Sequence, residues 1–398
     1  MNKEKVRHVV GISGGKDSAA LALYLKSKYS HDELPIEYFT CDTGRELDET
    51  YTLIKQLEAE LGTVIKRYAS IDHRVVGEES PFDFFLRQYG GFLPSQNARW
   101  CTKKMKIEPF EKEAGDMPVI SYVGIRGDEN REGYISTKPN IQSIFPFRKN
   151  IWDMDITVEF FNNNRIDQIV SLYEKHISDK EYCSELISII KTPTSKTFTI
   201  KEKFDSMLSK GVVLFNKVVF DYLKTTNRPV GKLDYFPLVN NDDVIIRKDV
   251  YEILERHSVD LPRYYLPIEY EVDGEVGKYF RSRSGCFFCF YQQKIEWVWL
   301  LEQHPDLFWK AESYEKDGYS WIQNESLREL SNPDRVLAIK REHLKRMKRK
   351  FLNQSNSTDW QNQILGIQKT SPLELVKDKT WLDNIIEAEG DLCANCFI

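Results

Sequence analysis

The order of apolar and polar positions along the N-terminal part of the chain predicts alternating strands and helices. A β-branched apolar run at 9–12 leads through Ser13 into two adjacent glycines, and the Ala/Leu-rich residues that follow have helical spacing. The other expected elements of this part are strands at 35–40, 63–68 and 118–125 and a helix at 46–61. Such alternation is typical of a doubly wound parallel α/β sheet.

The rest of the chain shows mainly helical spacing. Between 151 and 230, the segments expected to be helical are 158–161, 166–176, 182–191 and 204–222. We interpret this stretch as a helical insertion, either a structural elaboration or a contact surface for a partner protein. Eight aromatic residues between 291 and 330 are expected mostly to fill a helical core, with base-stacking surfaces as the alternative.

Length and composition add limits to this picture. The 398 residues suffice for one large α/β domain with an appended or inserted part. A net charge of −5 argues against a protein that is basic throughout, but it is compatible with a local basic groove. No apolar run approaches the roughly 18 residues of a membrane span, and the first residues lack the apolar core of a signal peptide. We therefore expect a cytoplasmic protein without a membrane segment.

A short glycine-containing loop is expected between the first strand and the first helix. We call Ser13-Gly14-Gly15-Lys16-Asp17-Ser18 the glycine loop. Its glycines let the backbone bend and expose N–H groups at the positive end of the helix dipole, and the loop adds two serine hydroxyls and an ammonium group. The spacing differs from the Walker P-loop, which has four residues between its first glycine and Gly-Lys. A pyrophosphate-sized anion is the expected ligand.

Polar residues also follow other expected strands, where the ligand crevice of a parallel sheet lies. Asp42, Thr43 and Gly44 come directly after the second strand and are placed to meet a nucleotide. A turn closed by the Asp42 side chain is the alternative interpretation. Arg126 and Arg131 belong to a charged cluster after the strand at 118–125.

A basic cluster surrounds one cysteine. Arg99, Lys103, Lys104 and Lys106 stand within eight residues around Cys101, which suits a polyanionic substrate but equally a solvated turn. The nearby cations are expected to lower the pKa of the Cys101 thiol and make it a nucleophile or a sulfur carrier. A buried, inert cysteine is the alternative.

Four of the seven cysteines form two pairs with Cys-x-x-Cys spacing, Cys286 with Cys289 and Cys393 with Cys396. Each pair presents two thiolates on one turn, which is half of a tetrahedral sulfur site. Together they predict a four-cysteine zinc site, for which the C-terminal tail must fold back by about a hundred residues. Two unmetallated pairs or one redox disulfide pair is the alternative.

The stretch 340–350 carries seven permanent cations and only one acid. At helical spacing these cations cover most of the circumference, which favours contact with the phosphate backbone of a nucleic acid, DNA or tRNA. A solvated or partner-facing helix is the alternative.

Taken in order, these motifs resemble the phosphoadenosine phosphosulfate reductase family of the PP-loop ATP pyrophosphatase (adenine nucleotide alpha-hydrolase-like) superfamily. The likeness continues through Phe236-Pro237-Leu238 and Asp249-Val250-Tyr251. Arg283-Ser284-Gly285-Cys286-Phe287-Phe288-Cys289 resembles an element of the family's branch related to DNA phosphorothioation enzymes. The likeness covers roughly 6–150 and 230–310.

The resemblance implies a role for each matching position. The residues that it implies to hold ATP phosphates are Ser13, Gly14, Gly15, Lys16, Asp17 and Ser18. Those implied to lie by the adenosine are Asp42, Thr43 and Gly44, and those implied to form an anion-binding rim are Arg99, Lys103, Lys106, Arg126 and Arg131. The catalytic candidates are Lys16, Asp17, Cys101 and Arg126. The implied cofactors are ATP and Mg²⁺, and the family also allows a [4Fe–4S] cluster in place of Zn²⁺ on the four cysteines.

The resulting expectation has four segments. These are the first part of the nucleotide-binding domain at 1–150, the insertion at 151–230, the completion of the nucleotide-binding domain at 231–280, and a helical C-terminal domain at 281–398 stapled by the metal site. The intact glycine loop points to an ATP pyrophosphatase that adenylates its substrate. The resemblance implies that it does so in DNA phosphorothioation-like or defence-associated sulfur incorporation into nucleic acid. Its expected protein partners are a sulfur donor or subunits of a defence complex. A sulfonucleotide reductase of sulfate assimilation and a non-catalytic ATP-sensing subunit are the alternatives.

Overall fold

The computed structural model describes residues 5–71, 79–129, 136–316 and 318–356. Its centre is a five-stranded parallel sheet with the order β3-β2-β1-β4-β5. The strands are Arg7–Gly11 (β1), Ile36–Thr40 (β2), Lys66–Arg67 (β3), Val119–Tyr122 (β4) and Ile141–Ile144 (β5). Because the strand order reverses at β1, the crevice between the carboxyl ends of β1 and β4 is the place where such sheets bind ligands. The predicted parallel α/β sheet is confirmed.

Helices occupy most of the remaining described chain. The N-terminal ones are Lys16–Lys28 (α1), Asp48–Leu61 (α2), Pro81–Gln88 (α3) and a continuous run, α4, made of Trp100–Thr102, the π-helical turn Lys103–Ile107 and Glu108–Ala114. Those of the insertion are Met154–Phe160 (α5), Ile166–His176 (α6), Lys180–Lys191 (α7), Ile200–Lys210 (α8) and Val212–Leu223 (α9). Arg247–Arg256 (α10) follows. The C-terminal elements are the hairpin Ile268–Val272 (β6) and Glu275–Tyr279 (β7) and the helices Lys294–Gln303 (α11), Pro305–Glu312 (α12), Leu327–Leu330 (α13) and Pro333–Asn356 (α14).

Several element boundaries differ from the expected ones for local reasons. The strand expected at 63–68 is reduced to two exposed residues at the sheet edge, which pair only with Phe39 and Thr40. Helix α2 begins at Asp48 rather than at 46, because Glu46 pairs with the backbone of Cys286. The single helix expected at 204–222 is two helices that meet at Gly211.

One apolar core joins the sheet to the insertion. Large side chains from both parts are completely buried in it, including Ile120 of β4, Phe160 of α5 and Val218 of α9. Within the insertion, a buried lysine joins α8 to the end of α7: Lys203 donates from Nζ to the carbonyls of Ile190 and Thr192 at 2.6 and 2.8 Å. Because the last carbonyls of a helix lack partners within the helix, this ammonium caps the end of α7.

A second apolar core holds the C-terminal part together. It combines α11, α12 and the hairpin with Phe82 of α3 and Trp100 of α4. Of the aromatic residues expected in a helical core, Trp297, Trp299, Phe308 and Trp321 are buried, whereas Trp309 and Tyr319 are about half exposed. The aromatic stretch is therefore mostly core. None of the helices in the described ranges combines the length and apolar character that crossing a membrane requires.

Candidate functional site

The glycine loop follows β1 directly and ends in the first turn of α1, as expected. Gly14 has φ +71°, and a Cβ added there would lie 2.2 Å from Cγ2 of Thr50 in α2, so the position accepts only glycine. The Ser18 hydroxyl accepts from the Ser13 backbone N–H at 3.2 Å and lies 3.1 Å from the Ser13 hydroxyl. These bonds fix the loop at the carboxyl end of the sheet, where its N–H groups and the start of α1 favour an anion.

A buried ion network surrounds the first turn of α1. Lys16 Nζ lies 2.8 Å from one Asp17 oxygen, and Arg126 Nη1 lies 2.9 Å from the other. Arg126 also contacts Asp128 at 2.9 Å and Glu129 at 2.7 Å, and it is only 2% exposed. Burial opposes ionisation of Asp17, but the two neighbouring cations hold the pKa of its carboxyl well below the ordinary value. Burial lowers the pKa of Lys16 to about 8.

The segment around 264–286 lies directly against the glycine loop. The Tyr264 hydroxyl donates to the carbonyl of the loop's first glycine at 3.1 Å, and Lys16 Nζ lies 5.5 Å from the centroid of the Tyr265 ring. A Cβ added to the second glycine would lie 2.6 Å from the Ser284 hydroxyl. The C-terminal part of the chain therefore packs directly against the glycine loop.

An acidic pair lies beside the loop at the end of β2. Asp42 accepts from the Gly44 backbone N–H at 2.7 Å, which is the Asp-closed turn that the sequence offered as an alternative. The Tyr51 hydroxyl joins Asp42 and Glu46 at 2.9 and 3.2 Å, and Thr43 donates to Glu46 at 2.7 Å. Burial and the neighbouring Asp42 raise the pKa of Glu46 to about 7.

Three thiols line one small cavity next to this pair. Cys101, Cys286 and Cys289 surround a volume of about 50 Å³, and Lys106 and Thr43 also contribute to its wall. The Cys286 sulfur lies 3.1 Å from the Thr43 hydroxyl, so the first cysteine pair lies at the carboxyl edge of the sheet. All five described cysteines are free thiols.

The expectation that neighbouring cations lower the pKa of Cys101 is wrong. Burial raises the pKa of its thiol to about 11, and the adjacent Cys289 contributes in the same direction. Lys104 forms an ion pair with Glu108 at 2.8 Å, so the Glu108 carboxylate offsets the positive charge of Lys104 near the Cys101 sulfur. The alternative interpretation, a buried neutral thiol, agrees with this environment.

The four-cysteine metal site is not formed within the described ranges. There, no group of three or more cysteine, histidine or carboxylate side chains has an arrangement that could hold a metal. Cys393 and Cys396 lie outside the described residues. The described half of the site, Cys286 and Cys289, lies beside the sheet rather than within a separate helical unit.

The residues expected to form an anion-binding rim are only partly together. Arg99 and Lys103 lie on the first turns of α4, and Lys106 reaches both the thiol cavity and the acidic pair. Arg126 lies in the buried ion network instead of on a rim, and Arg131 is outside the described residues. The roles assigned to these residues stay predictions.

Several cations of the basic helix at 340–350 form ion pairs with acidic side chains of the protein itself. Lys340 contacts Glu302 at 2.6 Å, Arg341 contacts Asp273 at 2.6 Å, and Lys348 contacts Glu275 at 2.6 Å. Arg346 donates to the Gln293 side chain at 2.8 Å. Lys345 and Arg349 are exposed. Because three cations are paired with acids, the positive field of this helix is weaker than its sequence indicates.

Sequence reasoning missed several residues of the site. Glu46 was assigned to a regular helix, although it forms the acidic pair with Asp42. Arg247 is 5% exposed at the start of α10, and its charge contributes to lowering the pKa of Lys16. Ser284 stands in the Arg-x-Gly-Cys element. The motif could be recognised in the sequence, but the contact of Ser284 with the glycine loop could not be predicted from it.

Comparison with known proteins agrees with this geometry. Residues 7–183 match the Phosphoadenosine phosphosulfate reductase domain. An uncharacterized protein of Methanocaldococcus jannaschii is 31% identical over 157 residues, 36% of this chain and 30% of that protein. The adenosine 5′-phosphosulfate reductase of Allochromatium vinosum is 34% identical over 103 residues, 25% of this chain and 37% of the enzyme. The chain thus spans about a third of the length of these curated relatives. No solved structure matches.

Replacing Arg126 by methionine is expected to destabilise the fold by about 3–5 kcal/mol at pH 7, because the buried carboxylate of Asp17 and the partly buried ones of Asp128 and Glu129 lose their shared partner. The double variant Arg126→Met/Asp17→Asn should recover part of this loss. Because the pKa of Asp17 is lowered in the folded protein, its ionised carboxylate contributes fully to the free energy of unfolding above about pH 4, and this contribution is lost as the pH falls further. The difference in free energy of unfolding between Arg126→Met and the wild type should therefore narrow below about pH 4. Urea unfolding measures each quantity; a loss below about 1 kcal/mol would contradict the network's role.

Cys101 is expected to react slowly with iodoacetamide at pH 8, because only the thiolate is nucleophilic and burial keeps this thiol neutral. Its rate should rise about tenfold per pH unit towards pH 10. Cys183, which is partly exposed on α7, serves as the internal control. Mass spectrometry of the modified peptides checks this, and preferential labelling of Cys101 at pH 8 would show that its thiol is activated after all.

Proposed function

Because residues 7–183 match the phosphoadenosine phosphosulfate reductase domain, we propose that this protein is a PP-loop ATP pyrophosphatase that adenylates its substrate. One observation carries the proposal: the complete glycine loop lies at the carboxyl end of β1, with the Lys16 ammonium buried at its base. An ammonium group and backbone N–H groups held in place beside a leaving pyrophosphate stabilise the charge that builds on it. The substrate class that we propose is nucleic acid, which receives sulfur after adenylation.

The proposed chemistry has two balanced steps. An acceptor oxygen attacks the α-phosphorus of ATP, the bond between that phosphorus and the bridging oxygen of the β-phosphate breaks, and pyrophosphate leaves with the electron pair. The outer sulfur of a persulfide on a donor protein then displaces AMP together with the acceptor oxygen. A second thiol of the donor attacks the inner sulfur, so the S–S bond breaks, the outer sulfur stays on the acceptor as a thiolate, and the donor keeps a disulfide. In the first step Lys16 and the loop N–H groups hold the departing phosphates, while Arg126 keeps Asp17 ionised and in place.

The donor set beside the loop fits a magnesium ion bound to phosphates. Asp42 and Glu46 supply carboxylate oxygens in the cavity that Ser13 also lines, and Mg²⁺ in such sites takes one or two carboxylates with the substrate phosphates. The ion would supply additional positive charge to the triphosphate. Asp17 is less suited to this role, because both its oxygens already contact cations.

For the cysteine pairs we propose a site that holds Zn²⁺ or a [4Fe–4S] cluster on Cys286, Cys289, Cys393 and Cys396. The proposal rests on paired thiols with Cys-x-x-Cys spacing and on the position of the first pair at the cavity wall. Elemental analysis of the full chain should find zinc, or iron with sulfide, and the metal should fall in both double Cys→Ser variants. Cys183→Ser is the matched control. Unchanged metal content in either double variant would refute the four-cysteine set.

Two other functions remain to be separated by experiment. A sulfonucleotide reductase is favoured by the 34% identity to the adenosine 5′-phosphosulfate reductase of Allochromatium vinosum. An ATP-sensing subunit of a defence complex would bind ATP at the same loop without turnover. The reductase would consume adenosine 5′-phosphosulfate or its 3′-phosphorylated form with a thiol reductant and without ATP.

The decisive measurement is release of AMP and pyrophosphate from α-labelled ATP with Mg²⁺, without and with DNA or tRNA. We expect repeated turnover that falls at least about a hundredfold in Lys16→Met, since one preorganised charge is lost from the transition state. Lys26→Met, at an exposed position of the same helix, is the control, and thermal melting verifies folding of both. Release that stops at one equivalent favours the sensing subunit, and reduction of a sulfonucleotide without ATP favours the reductase.

A further inference from the structure

Two adjacent tyrosines of the C-terminal part lie against the glycine loop. Tyr264 and Tyr265 belong to a short 3₁₀ turn just before β6, and both are almost completely buried. Their ring centroids are 4.6 Å apart. The Arg281 backbone N–H donates to the Tyr264 carbonyl at 2.8 Å, and the Arg281 guanidinium carbon lies 5.9 Å from the centroid of the Tyr264 ring. The tyrosine pair is therefore held in place beside the loop.

The hydroxyl of Tyr264 bears on the orientation of one peptide group of the loop. It donates to the Gly14 carbonyl at 3.1 Å. In a planar trans peptide the carbonyl and the following N–H point in opposite directions, so this bond turns the Gly15 N–H away from Tyr264. The Gly15 nitrogen lies 3.4 Å from the Ser13 hydroxyl, to which it donates. The bond from Tyr264 thus stabilises one orientation against the alternatives that two adjacent glycines allow.

The ring of Tyr265 lies beside the Lys16 ammonium group. Lys16 Nζ is 5.5 Å from the ring centroid, and Lys16 is only 3% exposed. Of the three N–H donors of this ammonium group, hydrogen bonds within the described part of the chain use one, which goes to Asp17 at 2.8 Å. An aromatic ring attracts an ammonium group through its quadrupole and adds no negative charge. The ring therefore holds the cation while donors remain for a phosphate.

We propose that Tyr264 and Tyr265 are positioning residues of the nucleotide site. Through its bond to the loop carbonyl, Tyr264 directs the Gly15 N–H at the phosphates of a bound nucleotide. Through its ring, Tyr265 directs the Lys16 ammonium group at the same phosphates. This inference rests on the proposed function, because it says how the loop is held ready for the departing pyrophosphate. Donors that are already oriented stabilise a transition state because they need not reorganise when charge develops.

The kinetic test measures AMP and pyrophosphate release by the full chain over a range of ATP concentrations. Tyr265→Met removes the ring, and we expect kcat to fall about tenfold while KM for ATP changes less than about threefold, since the leaving pyrophosphate gains charge in the transition state. Tyr265→Phe keeps the ring and should retain at least about half of the wild-type kcat. Tyr264→Phe should lower kcat about fivefold, because one hydrogen bond to the loop is lost.

Tyr173→Met is the matched control, because Tyr173 is a buried tyrosine of α6 in the insertion. It should lower the melting temperature but leave kcat unchanged. Thermal melting also verifies that each site variant folds. Tyr264→Phe removes a single oxygen atom, so it still tests the proposal if Tyr265→Met does not fold.

A second measurement requires neither ATP nor turnover. In the full chain labelled with carbon-13 at the ε position of lysine, the NMR signal of Lys16 is assigned by its loss in Lys16→Met. The ring current of Tyr265 should displace this signal from those of exposed lysines. Tyr265→Met should move the signal back, and Tyr265→Phe should leave it in place. If the wild type releases no pyrophosphate, the proposed function fails, and the NMR signal still decides whether the ring holds Lys16.

Four results would overturn the proposal. An unchanged Lys16 signal in Tyr265→Met would show that the ring does not hold the ammonium group. Equal losses of kcat in Tyr265→Met and Tyr265→Phe would assign the effect to the hydroxyl. Wild-type kcat in Tyr264→Phe would remove the role of its bond to the loop. A similar loss in Tyr173→Met would show that any buried tyrosine has this effect through stability.

Discussion

The ion pair between Asp17 and Arg126 ties together the two strands that border the ligand crevice. Asp17 stands in the first turn after β1, Arg126 follows β4, and these strands are neighbours at the point where the strand order reverses. Gly124 permits the close approach, because a Cβ there would lie 2.9 Å from the Asp17 carbonyl. The pair thus fixes where α1 begins, and with it the direction in which the glycine-loop N–H groups face. The Asp17 carboxylate, 2.8 Å from the Lys16 ammonium group, is the member of this network that favours a charged Lys16 inside the protein.

A second constraint comes from the C-terminal part, which completes the site rather than standing apart from it. The Phe287 backbone N–H donates to the Arg45 carbonyl at 3.0 Å, and Arg281 donates to the Cys286 carbonyl at 3.0 Å. These bonds bring the first cysteine pair to the end of β2. As a result the glycine loop, the acidic pair and the thiol cavity lie side by side. Ser13 of the loop lines the cavity of the acidic pair, and Lys106 lines both that cavity and the thiol cavity. A chemistry that couples nucleotide cleavage to sulfur would need such proximity.

Much of the fold was predictable because it is encoded by short-range patterns. The apolar run of β1, the two glycines and the helical spacing of α1 are local signals, and together they specified the glycine loop and the parallel sheet. The predicted element boundaries were wrong where a residue distant in sequence makes a contact. Glu46, for example, pairs with the backbone of Cys286 instead of starting a helix. The site was predictable only in part for the same reason. Tyr264, Ser284 and Arg247 reach the loop through long-range contacts that carry no periodic signature.

Charge was the property that sequence reasoning judged least well, and the reason is physical. A run of cations indicates a positive surface only if no acid elsewhere in the chain pairs with it. In α14 the partners Asp273 and Glu275 come from the turn and the second strand of the hairpin, about 70 residues earlier in the sequence. Around Cys101 the error had the opposite cause, since burial outweighed the nearby cations and kept the thiol neutral. Arg99 and Arg283 look unremarkable in sequence because 184 positions separate them, yet they meet at one ring. Which cations meet, and which of them are paired with acids, therefore depends on how the fold assembles the chain.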